Sequence, residues 1–230
     1  MNPALWIWFW SGLFVITHLA ISSTLLRPRL LAALGAQPYR GIYSLIALGT
    51  LLPMIVTFSL HEHSGPLLWY LRDNRPLRTL ALLLMLFAFI FLVGSFVNPP
   101  PSAMGGGSPS ARPHRILKLT RHPSFVAFSL FGFAHLLMNG WLGDVGFFGS
   151  FAVLGVLGGL HQDFRKVREL GASYVELMQA TSFFPGAAII SGRQEFRASD
   201  IPWLAIGLGA ALTVLIALLH PMLFGGRPLA

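Results

Sequence analysis

Six apolar runs, at residues 3–26, 41–60, 77–97, 123–141, 145–160 and 201–224, take up more than half of this 230-residue chain. A bilayer's hydrocarbon core is about 30 Å thick and needs roughly 20 helical residues to cross it. Backbone groups in lipid must also find their hydrogen bonds within their own segment, which favours helices. The runs therefore predict an all-α fold: one polytopic bundle of six transmembrane helices, forming a single domain over residues 1–230. Composition agrees, since 54% of residues are hydrophobic and 10% charged, against roughly 25% charged in soluble domains. A soluble fold is excluded on that ground.

The connections carry the topology. Those after runs one, three and five hold twelve Lys and Arg, and the remainder of the chain holds four. By the positive-inside rule, the three basic connections are expected in the cytoplasm and both termini outside it, in a bacterial inner (plasma) membrane. The net charge of +8 is assigned to this asymmetry and to anionic headgroups. Membrane lipids are thus expected as partners and nucleic acid is not. The first run lacks the basic flank and small-residue cleavage site of a signal peptide, so it is expected to be retained. Zero Cys removes disulfides, iron–sulfur clusters, thiolate metal sites and cysteine nucleophiles.

Two segments stand apart from the spans. Residues 98–113 are rich in Pro, Gly and Ser and predict a flexible loop. Residues 163–181 place Val167, Leu170, Tyr174, Leu177 and Met178 at helical spacing among charges, which predicts a short cytoplasmic amphipathic helix. Run five is short, and its glycines include a G-x-x-x-G at Gly155 and Gly159. It is expected to pack closely on another helix.

Eight His in so apolar a chain point to chemistry, because an imidazole inside a bilayer persists where it has a partner or a ligand. His18 and His135 fall well inside runs one and four, each within roughly 5 Å of its run's midpoint. Ser11 and Ser22 share the face of His18; Phe128, Phe131, Gly132 and Asn139 share that of His135. A small Gly132 one turn from His135, between aromatic walls, would leave room for a flat macrocycle ligated through imidazole. The alternative is two histidines hydrogen-bonded across helices. A second cluster is expected on the cytoplasmic side from Arg121, His122, His161 and Asp163, with Arg40 nearby. Its basic rim could hold an anionic group or simply contact headgroups. The His61 and His63 pair is a weak metal signal, and Glu62 and Asp144 read as boundary residues.

Four motifs, YRGIYS at 39–44, TRHP at 120–123, HLLMNG at 135–140 and ATSFFP at 180–185 followed by SGR at 191–193, occur in order along the chain. Together they resemble the NnrU family of bacterial membrane proteins, related to the plant and cyanobacterial 15-cis-zeta-carotene isomerase. The resemblance implies a b-type haem with His18 and His135 as iron ligands. The face shared with His135 then puts Phe128, Phe131, Gly132 and Asn139 around the cofactor, and Arg121 and His122 are expected to hold an anionic group such as a haem propionate. The resemblance also implies either a redox-dependent cis–trans isomerase of a lipophilic polyene or a role in nitric oxide and denitrification metabolism. Gly132 stands where the isomerase is expected to carry a Cys, so a cysteine-based redox switch cannot operate. A second resemblance, through Arg121-His122-Pro123, Gln162-Asp163, Leu170-Gly171-x-x-Tyr174 and Pro185, is to membrane methyltransferases of the isoprenylcysteine type. It implies S-adenosylmethionine as an alternative cofactor, although Gln162-Asp163 replaces the usual paired glutamates.

Overall fold

The computed structural model describes residues 2–100, 113–226 and 228. Its described residues form ten α-helices: α1 (Pro3–Ile21), α2 (Leu26–Leu34), α3 (Ala36–Leu60), α4 (Arg75–Val97), α5 (Ile116–Leu119), α6 (Pro123–Met138), α7 (Leu142–Leu170), α8 (Ala172–Ala180), α9 (Ala187–Ile190) and α10 (Trp203–Phe224). Start signals written in the sequence set several of these. Asn2 and Asn74 accept from the amides of Ala4 and Leu77, and Pro3, Pro76 and Pro123 stand in first turns, where a missing N–H costs nothing.

Five helices, α1, α3, α4, α7 and α10, are long and apolar enough to cross a membrane. Apolar side chains such as Leu45, Leu52, Phe87, Leu208 and Leu215 face outward along them, as a lipid solvent demands. Helix α6 is apolar but has 16 residues, a rise of about 24 Å, short of the hydrocarbon thickness. The apolar run from 123 to 141 overstates it, because Asn139 and Gly140 end the helix and turn the chain into α7.

The helices pack in a lateral order α3, α1, α7, α6, α4, α10, with α7 central and α3 also touching it. In lipid such packing rests on close contact rather than on hydrophobic transfer, so small residues decide it. A Cβ on Gly155 would lie 2.6 Å from the Phe125 carbonyl and the Ser129 amide, and one on Gly158 would meet the Phe125 ring. The expected close packing of the glycine-rich run is thus seen, against α6. Gly146 admits the Trp8 ring of α1 in the same way.

The charged segment is organised differently from expectation. Helix α7 does not stop at residue 160; it runs on through HQDFRKVREL, in which Gln162, Arg165, Lys166, Arg168, Glu169 and Leu170 are good helix formers. Gly171, at a φ of +62°, ends it, and α8 follows. The segment 163–181 is therefore the last two turns of α7 plus a separate nine-residue helix. Of the loop expected at 98–113, residues 101–112 lie outside the described residues.

Candidate functional site

His18 sits in the last turn of α1 and His135 in the last turn of α6. Each imidazole donates its Nδ1–H to the carbonyl four residues earlier, His18 to Phe14 at 2.7 Å and His135 to Phe131 at 2.9 Å. A carbonyl only accepts, so both rings are held as the tautomer with a bare Nε2 lone pair. That is the form in which histidine ligates a metal, with the second nitrogen anchored to a backbone carbonyl. Ring neighbours fix the orientations: Phe14 and Tyr43 flank His18, while Phe131 and a stacked Phe148 at 4.5 Å flank His135. Between them runs a row of rings, Phe14 to Phe151 at 6.1 Å and Phe151 to Phe131 at 5.2 Å, with Phe128 packed against Phe151.

The surrounding polar groups serve these two turns. Ser22 Oγ and Asn139 Nδ2 donate to the carbonyls of His18 and His135, and Ser11 Oγ is buried without a partner. The expectation that Gly132 leaves room for a macrocycle is corrected. A Cβ there would stand 2.6 Å from the Ala152 amide nitrogen and 2.7 Å from the Phe148 carbonyl. The space over Gly132 holds the backbone of α7, so this glycine is a helix-crossing point and no side chain fits in its place.

At the end where α1 and α7 finish, a second group assembles around Asp163. Arg121 reaches both carboxylate oxygens, its Nε at 2.9 and 3.1 Å, while His122 Nε2–H donates at 2.6 Å and Tyr174 Oη at 2.9 Å. All four residues are buried. The segment before α6 is tied to the ATSFFP stretch by Arg121 N–H to Ser182 O, Thr120 Oγ1 to Phe183 O and Gly186 N–H to Leu119 O. Burial pushes the His122 imidazole below its ordinary value, although Asp163 opposes the shift. The ring is therefore neutral at pH 7, with an unpartnered Nδ1. Burial, with the adjacent carboxylate, pushes the Tyr174 phenol up.

Of the expected second cluster, Arg121, His122 and Asp163 come together, and Arg121 already has its anion in Asp163. His161 does not join them: two residues from Asp163 on one helix, it lies about 200° away around α7. Its Nε2 is buried without a hydrogen-bond partner. Arg40 stands exposed on the first turns of α3.

Sequence reasoning missed a third group at the opposite end. His63, in the left-handed region at φ +57°, is held by Asp144, which accepts its backbone N–H at 3.1 Å and its Nδ1–H at 2.6 Å. Arg72 donates to His63 Nε2, to Asn139 Oδ1 and to the Met138 carbonyl, and Trp69 Nε1–H donates to Leu136 O. Asp144, in the first turn of α7, is thus fully buried at the end of its span. The loop between α3 and α4 caps the C-terminal carbonyls of α6, the turn that carries His135. The polar residues at 61–74 and 139–144 were the available signal, but partners some 80 positions apart leave no local pattern. Among the described residues, no three His, Asp or Glu side chains are grouped to hold a metal ion.

The family model described as NnrU protein matches residues 7–228. The chain is 28% identical over 225 residues to a chloroplastic 15-cis-zeta-carotene isomerase of Arabidopsis thaliana, covering 93% of this chain and 59% of that protein. It is 27% identical over 221 residues to the enzyme of the same description from Zea mays, covering 92% and 58%. The chain thus spans about three fifths of the length of these relatives. Neither is a methyltransferase, so that alternative gains no support from them. No solved structure matches the chain.

Proposed function

Because the chain belongs to the NnrU family, we propose that it is a membrane cis–trans isomerase of a lipophilic polyene, with haem b held by His18 and His135. The observation that carries the proposal is the tautomer shared by these two residues: both commit Nδ1–H to a backbone carbonyl and keep Nε2 bare, and both rings pack against phenylalanine rings. The donor set fits haem iron, which histidine ligates through one ring nitrogen while the other is anchored. The row Phe14, Phe151 and Phe131 fills the gap between the two helices, so seating haem on both ligands requires these rings to part. When bound, haem supplies an iron centre able to polarise a double bond.

The chain's own residues supply the remaining requirements. Phe128, Phe131, Phe147, Phe148 and Phe151 form an apolar wall that excludes water from the imidazoles. Rotation about a double bond transfers no atom, so rings and two bare nitrogens need no accompanying acid. Trp69, Leu71, Phe133, Leu136 and Leu137 line an apolar groove of about 340 Å³ beside the last turn of α6. Phe133 and Leu137 stand two residues either side of His135, about 200° around α6, so this groove opens towards lipid on the opposite side of the helix from His135. In this reading α6 is the sixth crossing, short because it is sheathed by α4 and α7. The basic connections and α8 then lie on the cytoplasmic face of a bacterial plasma membrane, with both termini outside.

The test is conversion of a 15-cis polyene in proteoliposomes, followed by chromatography of the isomers with the protein reduced and then oxidised. Wild type should convert the substrate when reduced, and His18→Ala and His135→Ala should not. Equal conversion by all three proteins, or none by a haem-loaded wild type, would refute the proposal.

A further inference from the structure

The guanidinium of Arg165 is the exception among the charges of this protein. It lies one turn beyond His161 on the same face of α7 and its side chain is 12% exposed. Its Nε is buried with no hydrogen-bond partner, and the nearest carboxylate oxygen, Glu169 Oε1, is 3.9 Å away. A guanidinium presents five N–H donors, and here the buried Nε–H has no acceptor, an unmet demand that an oxyanion would satisfy. The His161 Nε2 one turn away is likewise buried and unpartnered.

Charge in the neighbourhood points the same way. Glu169 is shared by three cations: Arg27, bonded to Oε1, Lys166 Nζ at 3.4 Å from Oε2, and Arg165. These side chains are 12 to 26% exposed, so solvent screens them only in part. One carboxylate against three cations leaves two positive charges uncompensated. Arg168, the next cation on α7, donates to Thr24 and lies over the Phe164 ring. Tyr39 and Tyr43 of α3 stand within electrostatic reach of Arg165, and Tyr39 packs under Arg27 at 5.7 Å. The Tyr39 hydroxyl donates to the Ile21 carbonyl at 3.2 Å, so the ends of α1 and α7 and the start of α3 form a cradle of cationic N–H donors around an excess of two positive charges.

We propose that this cradle binds a phosphate group, with Arg165 as its principal ligand and Arg27 and Lys166 beside it. A phosphate carries up to two negative charges and offers acceptor oxygens that a guanidinium matches in geometry. The proposal stands on Arg165 and its neighbours and is independent of the haem assignment. The group can arrive as a lipid headgroup or as a free phosphate.

The test uses the full chain in detergent micelles and reads the thermal unfolding midpoint by tryptophan fluorescence, with inorganic phosphate in one arm and dioleoylphosphatidic acid in the other. The midpoint should rise saturably with at least one probe. In Arg165→Gln the half-saturating concentration should rise at least tenfold, while Arg40→Gln on the exposed start of α3 should behave as wild type. A response to lipid alone assigns a headgroup site and a response to both assigns the phosphate group itself; either supports the proposal. No shift with either probe, or an unaltered response in Arg165→Gln, overturns it. Should Arg165→Gln fail to fold, titration of wild type at about 50 and about 500 mM salt decides, since a partly exposed charge site is screened. Half-saturation should then rise several-fold, and an unchanged value overturns the proposal.

Discussion

Replacing Asp163 by Ala removes the acceptor on which three other buried groups converge. Asp163, Arg121, His122 and Tyr174 are 6, 9, 1 and 1% exposed, so little water is available to take over. Removing one partner of a buried ion pair costs about 3–5 kcal/mol, because the other charge is left uncompensated. The two further donors, His122 Nε2–H and Tyr174 O–H, each lose a bond worth about 1 kcal/mol. Contributions within one network are not additive, so Asp163→Ala should cost roughly 4–6 kcal/mol. The companion experiment replaces the pair by apolar groups: Arg121→Met with Asp163→Leu removes both charges and should recover all but about 2 kcal/mol. Chemical unfolding in detergent micelles, followed by the fluorescence of the six tryptophans, measures both. The reasoning fails if Asp163→Ala costs less than about 1 kcal/mol, or if the double variant is no more stable than the single one.

The same cluster predicts a pH dependence. Burial holds the folded pKa of His122 below its ordinary 6.5, so below pH 6.5 the unfolded chain binds the proton more readily. The stability that neutral His122 contributes is complete above about 6.5 and is lost as pH falls from there to the folded value. His122→Gln should flatten that part of the stability profile, and an unchanged acid slope would count against the assignment. At the helix crossing, Gly155→Ala should destabilise by about 1–3 kcal/mol, since its Cβ would meet the Phe125 carbonyl and the Ser129 amide. Gly149→Ala, with open space at the same Cβ position, should be neutral or slightly stabilising, and equal effects of the two would refute the contact argument.

Much of the framework was legible in hydropathy alone, because a lipid solvent imposes long uninterrupted runs. Five of the six runs correspond to helices of spanning length, and Gly155 of the G-x-x-x-G in run five marked a close contact with α6. Helix ends were less legible. A hydropathy run stops at the first charges, whereas α7 continues to Leu170 because its charged residues still favour helix. Depth correctly gathered Arg121, His122 and Asp163 at one end. It could not say that 42 residues of separation close into an ion pair, or that His161 turns to the face of Arg165. The His63 and Asp144 contact was hidden for the same reason: both ends lie in connections, where no periodicity records the partner. Gly132 was identified as a small residue beside His135, but sequence does not show what fills the space that a small residue leaves.

Haem held by His18 and His135, as proposed, would give the purified protein a diagnostic colour. The most direct measurement is the reduced-minus-oxidised absorption spectrum of the protein purified from haem-replete cells. Wild type and His61→Ala should show the same low-spin b-type spectrum, because both proteins keep the two imidazoles that would ligate the iron. His18→Ala and His135→Ala should each lose that spectrum or convert it to a high-spin form. A colourless wild type, or one spectrum common to all four proteins, would contradict the account.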